Sequence, residues 1–112
     1  MVVNYTLHQI KNETAREKKY QILNKLIEKF GKVDKDDYEK TYKDMAVGDD
    51  TDCILESLYY IFNTNHPRDF TGRSLSVGNV IEFENTTHES NFYYCDLVGF
   101  KKIDFLNLEE VN

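Results

Sequence analysis

Tryptophan is absent from this 112-residue chain, proline occurs once and cysteine twice. No apolar run approaches the roughly 20 residues needed to span a bilayer, so neither a membrane-spanning helix nor a membrane partner is expected. The opening MVVNYTLHQI lacks the basic start and sustained apolar core of a secretory signal. Cys53 and Cys95 fall among apolar neighbours in a predicted helix and a predicted strand, and both are expected to be reduced, buried thiols of a cytoplasmic protein. Zinc-ligand spacing is missing too: His8, His66 and His88 are far apart and stand without paired cysteines or carboxylates. Gly72 and Gly78 lack the spacing and following helix of a phosphate-binding loop. The run Asp49 to Asp52 lacks the glycine turn and terminal glutamate of a calcium loop. No metal and no cofactor are therefore expected.

A cationic surplus is also missing. Lys and Arg number 14 against 20 Asp and Glu, giving a formal charge of −6 and a pI near 5.0. Tight sequence-independent binding to nucleic acid depends on basic side chains displacing condensed counterions, so direct nucleic-acid binding is disfavoured. The same charge suits a protein partner with a basic surface, including one that normally holds DNA or RNA. General solubility is the competing explanation for it.

What the chain does contain is enough apolar matter for one core: 40% hydrophobic residues, with eight Tyr and seven Phe. A single domain over residues 1–112 follows. Val3, Tyr5 and Leu7 alternate in a first strand over residues 2–10. Thr14 and Glu17 form a capping-box pattern ahead of Leu23, Leu26, Ile27 and Phe30, which predicts an amphipathic helix from Thr14 to Phe30, stopped by Gly31. Residues 34–47 fit either a short helix or a strand. Asp50 or Thr51 caps a second helix whose face is Ile54, Leu55, Leu58, Tyr59, Ile61 and Phe62. Leu75 to Phe83, bent or bulged at Gly78, and Phe92 to Val98 read as an antiparallel hairpin across a polar loop, Asn85 to Ser90. Phe100, Ile103, Phe105, Leu106 and Leu108 are expected to pack back on it. The predicted class is α+β: a small antiparallel sheet with about two main helices on one face and a C-terminal β-hairpin.

Four constellations carry potential chemistry. The acidic set Asp34, Asp36, Asp37, Glu39, Asp44, Asp49, Asp50 and Asp52 offers a contact surface for a basic partner. His66, Arg68, Asp69 and Arg73, with Ser74, are the densest groups suited to binding an anion or ligand, and they lie in a connection before the sheet. The rival reading pairs Asp69 with the arginines to pin the loop. Phe92, Tyr93 and Tyr94 have the chemistry of a base-stacking platform but are ringed by Glu82, Glu84, Glu89 and Asp96, with only Lys101 and Lys102 as counterweight. Cys95 pairing with His66 or His88 is the one nucleophilic option, and its apolar setting favours an inert thiol.

The runs Asn65-His66-Pro67-Arg68-Asp69-Phe70, Gly72-Arg73-Ser74-Leu75-Ser76-Val77, Val80-Ile81, Tyr93-Tyr94-Cys95-Asp96 and Gly99-Phe100-Lys101 resemble the YodL-like domain. The resemblance is strongest over residues 62–105, and Asn4 to Gln9 is also similar to the start of such proteins. It implies the setting of low-GC Gram-positive bacteria, their conjugative elements and phages, where the domain stands alone or inside large polyvalent proteins associated with anti-restriction functions. It brings no established catalytic residues. The expectation that follows is a non-enzymatic, acidic protein-binding module of a mobile element or phage. Its role is that of an accessory inhibitor of a host defence nuclease or similar complex, of anti-CRISPR or anti-restriction type, acting by occupying a basic surface. The alternative is a nucleic-acid-binding module using Arg68, Arg73, Lys101, Lys102 and the sheet aromatics. A third is a small enzyme or ligand-binding domain centred on His66, Arg68 and Asp69.

Overall fold

The computed structural model describes residues 1–12 and 16–105. Strand β1 (Val2–Ile10) is the element on which the sheet assembles. It pairs antiparallel with β2 (Tyr38–Val47) along one edge and with β3 (Val80–Glu84) along the other. Strands β4 (Ser90–Cys95) and β5 (Phe100–Ile103) complete an antiparallel sheet in the order β2-β1-β3-β4-β5. Two α-helices accompany it, α1 (Leu23–Phe30) and α2 (Thr51–Thr64), together with short 3-10 turns at Arg16–Lys18 and Lys35–Asp37.

Side chains alternate across a strand, and β1 uses both of its faces. Val3, Tyr5 and Leu7 meet Ile81 and Phe83 on one face, under Ile54, Leu55, Leu58 and Phe62 of α2. Ile10 belongs to a second cluster with Val80, Tyr94, Tyr38 and Phe105, closed by Leu26 of α1. Full burial of each such aliphatic or aromatic side chain stabilises the fold by about 1.5–3 kcal/mol, so these two clusters hold the sheet between them. The α+β class, the antiparallel sheet, the two helices and the C-terminal hairpin agree with the sequence reading. The helices divide between the two clusters instead of sharing one face.

The undecided segment 34–47 opens with the 3-10 turn Lys35–Asp37 and is a strand from Tyr38 to Val47. Its pairing with β1 shifts register between Leu7 and His8, leaving Thr41 as an extra residue. Because one extra residue inverts the alternation, Tyr38 and Tyr42 serve opposite clusters although they are four apart. The helix predicted from Thr14 begins only at Leu23, and Thr14 itself lies outside the described residues. Tyr20 sits in the left-handed region at φ 62°, which breaks the helical path. Tertiary bonds then take over: the Tyr94 hydroxyl donates to the Gln21 carbonyl at 2.6 Å, and the Leu23 N–H donates to Asp96 Oδ1 at 3.1 Å. Gly31, at φ 84°, closes α1 as expected, its N–H donating to the Ile27 carbonyl.

β3 starts at Val80, not Leu75, and Gly78 lies in a turn at φ 103° rather than in a bulge. The loop after β3 has turn chemistry that the sequence reading did not find. Asn85 Oδ1 accepts from the Thr87 N–H and hydroxyl and from the Glu89 N–H, with His88 left-handed at φ 65°. β4 stops at Cys95, short of Val98, because Asp96 to Gly99 form a tight turn in which the Asp96 N–H donates to the Gly99 carbonyl at 3.0 Å. Cys95 is buried as expected; Cys53 is exposed, since it lies on the outer side of α2. Phe105 packs back against His8, Tyr38 and Phe92, while Leu106 and Leu108 lie outside the described residues. Among the described residues no helix is long and apolar enough to cross a membrane.

Candidate functional site

The motif segment between α2 and β3 is turned into the fold. Gln9, fully buried at the end of β1, donates through Nε2 to the Arg73 carbonyl at 2.8 Å and to Asn79 Oδ1 at 3.2 Å. Its Oε1 accepts from the Arg73 N–H at 3.2 Å, and Asn79 Oδ1 also accepts from the Ser76 N–H at 3.0 Å. The Arg73 guanidinium donates to the Ile10 carbonyl at 2.6 Å. A Cβ on Gly72 would stand 2.6 Å from Gln9 Oε1 and 2.7 Å from the Phe70 ring, so only glycine lets the loop lie this close. The Gly72 to Ser76 motif is thus a connection pinned through the Arg73 backbone and guanidinium and the Ser76 N–H.

The four residues proposed for anion or ligand contact do not converge. Arg73 is committed to the backbone of β1. Asp69 accepts from the Tyr42 hydroxyl at 2.9 Å, not from an arginine. His66 Nδ1 donates to the Pro67 carbonyl at 3.0 Å and its ring packs on Phe70, whereas Arg68 is exposed. The basic residues of the nucleic-acid alternative are also dispersed. Lys101 opposes Tyr94 and Lys102 opposes Tyr93, so they point to opposite faces of the edge strand β5. Arg68 lies next to Asp69, which Tyr42 ties to the other edge of the sheet. Tyr94 is buried and Tyr93 packs on Phe83, while Phe92 packs against Phe105.

The acidic residues are arranged differently. In β2, Glu39 opposes Gln9 and Asp44 opposes Tyr5 on the α2 face, while Lys40 opposes His8 and Lys43 opposes Thr6 on the reverse. The pleat therefore sorts the charges by sign. On the α2 face Asp69 and Asp44 both stand near Tyr42, whose phenol is pushed up chiefly by its bond to Asp69. Beyond β2, Asp49, Asp50 and Asp52 surround the start of α2. Asp50 caps it, Oδ1 accepting from the Cys53 N–H at 2.8 Å, and that bond holds its carboxyl below the usual range. The same carboxylate, followed by Asp49 and Glu56, pushes the exposed Cys53 thiol up, which disfavours its thiolate. At the opposite end of β2, Asp34 accepts from the Asp36 N–H at 3.0 Å and Asp37 pairs with Lys18 at 2.5 Å. A ten-residue strand of about 30 Å separates the two ends, so the eight acids do not form one cluster, and only Glu39 and Asp44 lie on the edge strand itself. Among the described residues Glu39, Asp44, Asp49 and Asp52 are exposed and make no ion pair.

Sequence reasoning missed one titratable pair. His8, 2% exposed, donates from Nε2 to Glu82 Oε1 at 2.9 Å, and the Ser90 hydroxyl donates to Oε2 at 2.7 Å. The His8 bond is the main reason the Glu82 carboxyl is held down at about 2; burial opposes it. Period-2 alternation across two strands was the signal available, since it puts His8 and Glu82 on one face once β1 and β3 are known to pair. Among the described residues no group of three or more His, Cys, Asp or Glu is placed to hold a metal ion.

The fold and these surfaces define a small α+β domain whose motif residues build its frame and whose Glu39, Asp44, Asp49 and Asp52 carboxylates are exposed. The family model of the YodL-like domain matches residues 4–105, and the chain belongs to that family. The match begins in β1, upstream of the 62–105 stretch where the resemblance is strongest, in keeping with Gln9 being the residue that pins the motif loop. Comparison with curated proteins and with solved structures returned no match.

Proposed function

We propose that this domain is a non-enzymatic, cytoplasmic protein-binding module that engages a partner through a basic surface on that partner. The observation that supports the reading is the sorting of charge by β2, which puts Glu39 and Asp44 on one face and Lys40 and Lys43 on the reverse; among the described residues these two acids, with Asp49 and Asp52 beyond the strand, stand exposed and without ion pairs. Unpaired surface carboxylates steer a basic partner and raise its association rate, an effect that salt screens. The nucleic-acid channel of a nuclease has that chemistry. An accessory inhibitor of a host defence nuclease, of anti-restriction or anti-CRISPR type and carried by a mobile element or phage, is the role that fits it.

The test is binding of candidate nucleases to the wild-type chain and to a Glu39→Lys, Asp44→Lys, Asp49→Lys, Asp52→Lys variant, measured by biolayer interferometry from low to high salt. The wild type is expected to lose association rate as salt rises, and the variant to lose most of its binding at every salt concentration. Equal binding by both proteins to every nuclease that binds at all would overturn the acidic-surface mechanism.

A further inference from the structure

The turn between β4 and β5 breaks the usual chemistry of tight turns. Tips of such turns favour Gly, Asn, Asp and Ser, yet Leu97 and Val98 occupy this one and are 73% and 80% exposed. Gly99, at φ 71°, supplies the left-handed residue, so the two aliphatics do nothing for the backbone. Behind the tip lies a surface groove of about 320 Å³, walled by Tyr59 of α2, Val77, Cys95, Leu97 and Phe100. Tyr59 and Phe100 meet edge to face at 6.3 Å and make its floor firm. The volume is at the small end of ligand pockets, about 300–1,000 Å³, and the groove opens to the surface, so it suits side chains of a partner.

Its rim is acidic. Glu56 and Asp96 both border the groove. Asp96 spends Oδ1 on the N–H groups of Leu23 and Leu97, leaving Oδ2 without a hydrogen bond among the described residues. Glu56 has no ion pair there, and Asp52 follows one turn earlier on the same side of α2. Lys102 shares the Phe100 face of β5 but pairs with neither acid. We infer that this groove and the Leu97–Val98 tip form a docking site for a partner-protein segment that carries aliphatic side chains flanked by Arg or Lys. Aliphatic groups rest on the floor made by Tyr59 and Phe100, the tip covers them, and the flanking cations meet Glu56 and Asp96. The inference rests on reading the domain as a protein-binding module and adds a second, apolar contact distinct from the β2 edge.

The test is an NMR titration of the ¹⁵N-labelled full chain with a short synthetic peptide of two leucines flanked by arginines. Saturable shifts are expected at residues 96–100 and at Tyr59. Leu97→Ser with Val98→Ser, a change at exposed positions that the fold tolerates, is expected to weaken binding about tenfold. Glu56→Lys is expected to weaken it about threefold, and a Glu39→Lys, Asp44→Lys variant to weaken it less than Glu56→Lys does, through lost electrostatic steering alone. Any of the following would overturn the inference: no shifts up to the solubility limit, equal binding of a peptide with serines in place of leucines, or concentration-dependent shifts at Leu97 and Val98 in the free chain, which would make a second copy the occupant. If the β2-edge variant lost peptide binding while the tip variant kept it, the groove would be overturned and the acidic-edge reading would stand. If the tip variant alone lost it, the groove would stand whatever the nuclease experiment showed.

Discussion

The motif segment Gly72 to Asn79 and the acidic span Asp34 to Asp52 are both rich in polar residues, and the fold treats them in opposite ways. In the first, backbone and side-chain groups turn inward and close on Gln9 and Ile10. In the second, β2 runs along an open edge and four carboxylates remain in water without ion pairs among the described residues. Density of polar residues therefore says little about binding until each group's partner is known. A group satisfied inside the protein has little left to offer a ligand.

Substitutions in the motif network should produce the largest losses. Gln9→Leu keeps the volume roughly but orphans the Arg73 backbone groups, and is expected to cost about 2–4 kcal/mol in urea denaturation. A cost below about 0.5 kcal/mol would mean that the loop is not pinned through this residue. Gly72→Ala should follow at about 1–3 kcal/mol, because Gln9 and the Phe70 ring must move to admit the methyl group. Within the acidic span Asp50 caps α2, and Asp50→Ala should cost about 1 kcal/mol through the lost helix cap.

Acid unfolding probes the face opposite α2. The Glu82 carboxyl is depressed from 4.5 to about 2, so its contribution is complete above pH 4.5 and is lost as pH falls through about 2. Glu82→Gln should flatten the stability profile between those limits, and an unchanged profile would show that the His8 pairing does not support the fold. The smallest stability effects belong to charge reversal at Glu39, Asp44, Asp49 or Asp52, each within about 0.5 kcal/mol. Those same variants are expected to change partner association most, which is the contrast between the two regions in its sharpest form.

Much of the frame was legible. Alternation located β1, Gly31 and Asp50 marked helix ends by their local chemistry, and the linked short motifs carried the family resemblance. Other features depended on partners that no local window contains. The bulge opposite Leu7 and His8 decides which face each β2 tyrosine serves, and it exists only in the pairing with β1. The early part of the predicted first helix gives way because Tyr94 and Asp96, more than 70 residues away, capture the backbone at Gln21 and Leu23. Arg73 looked like an anion-binding residue because its destination, the Ile10 carbonyl, is 63 residues distant.

By itself, the sequence determined the composition of the core, the α+β class and the acidic balance, since these follow from residue type, periodicity and capping chemistry. Tertiary structure decided which polar groups are consumed and which stay exposed, and it left Leu97 and Val98 at the tip of a turn instead of in a strand. Hydrogen-bond partners and burial are set by contacts between distant segments, and those contacts exist only once the sheet has assembled around β1.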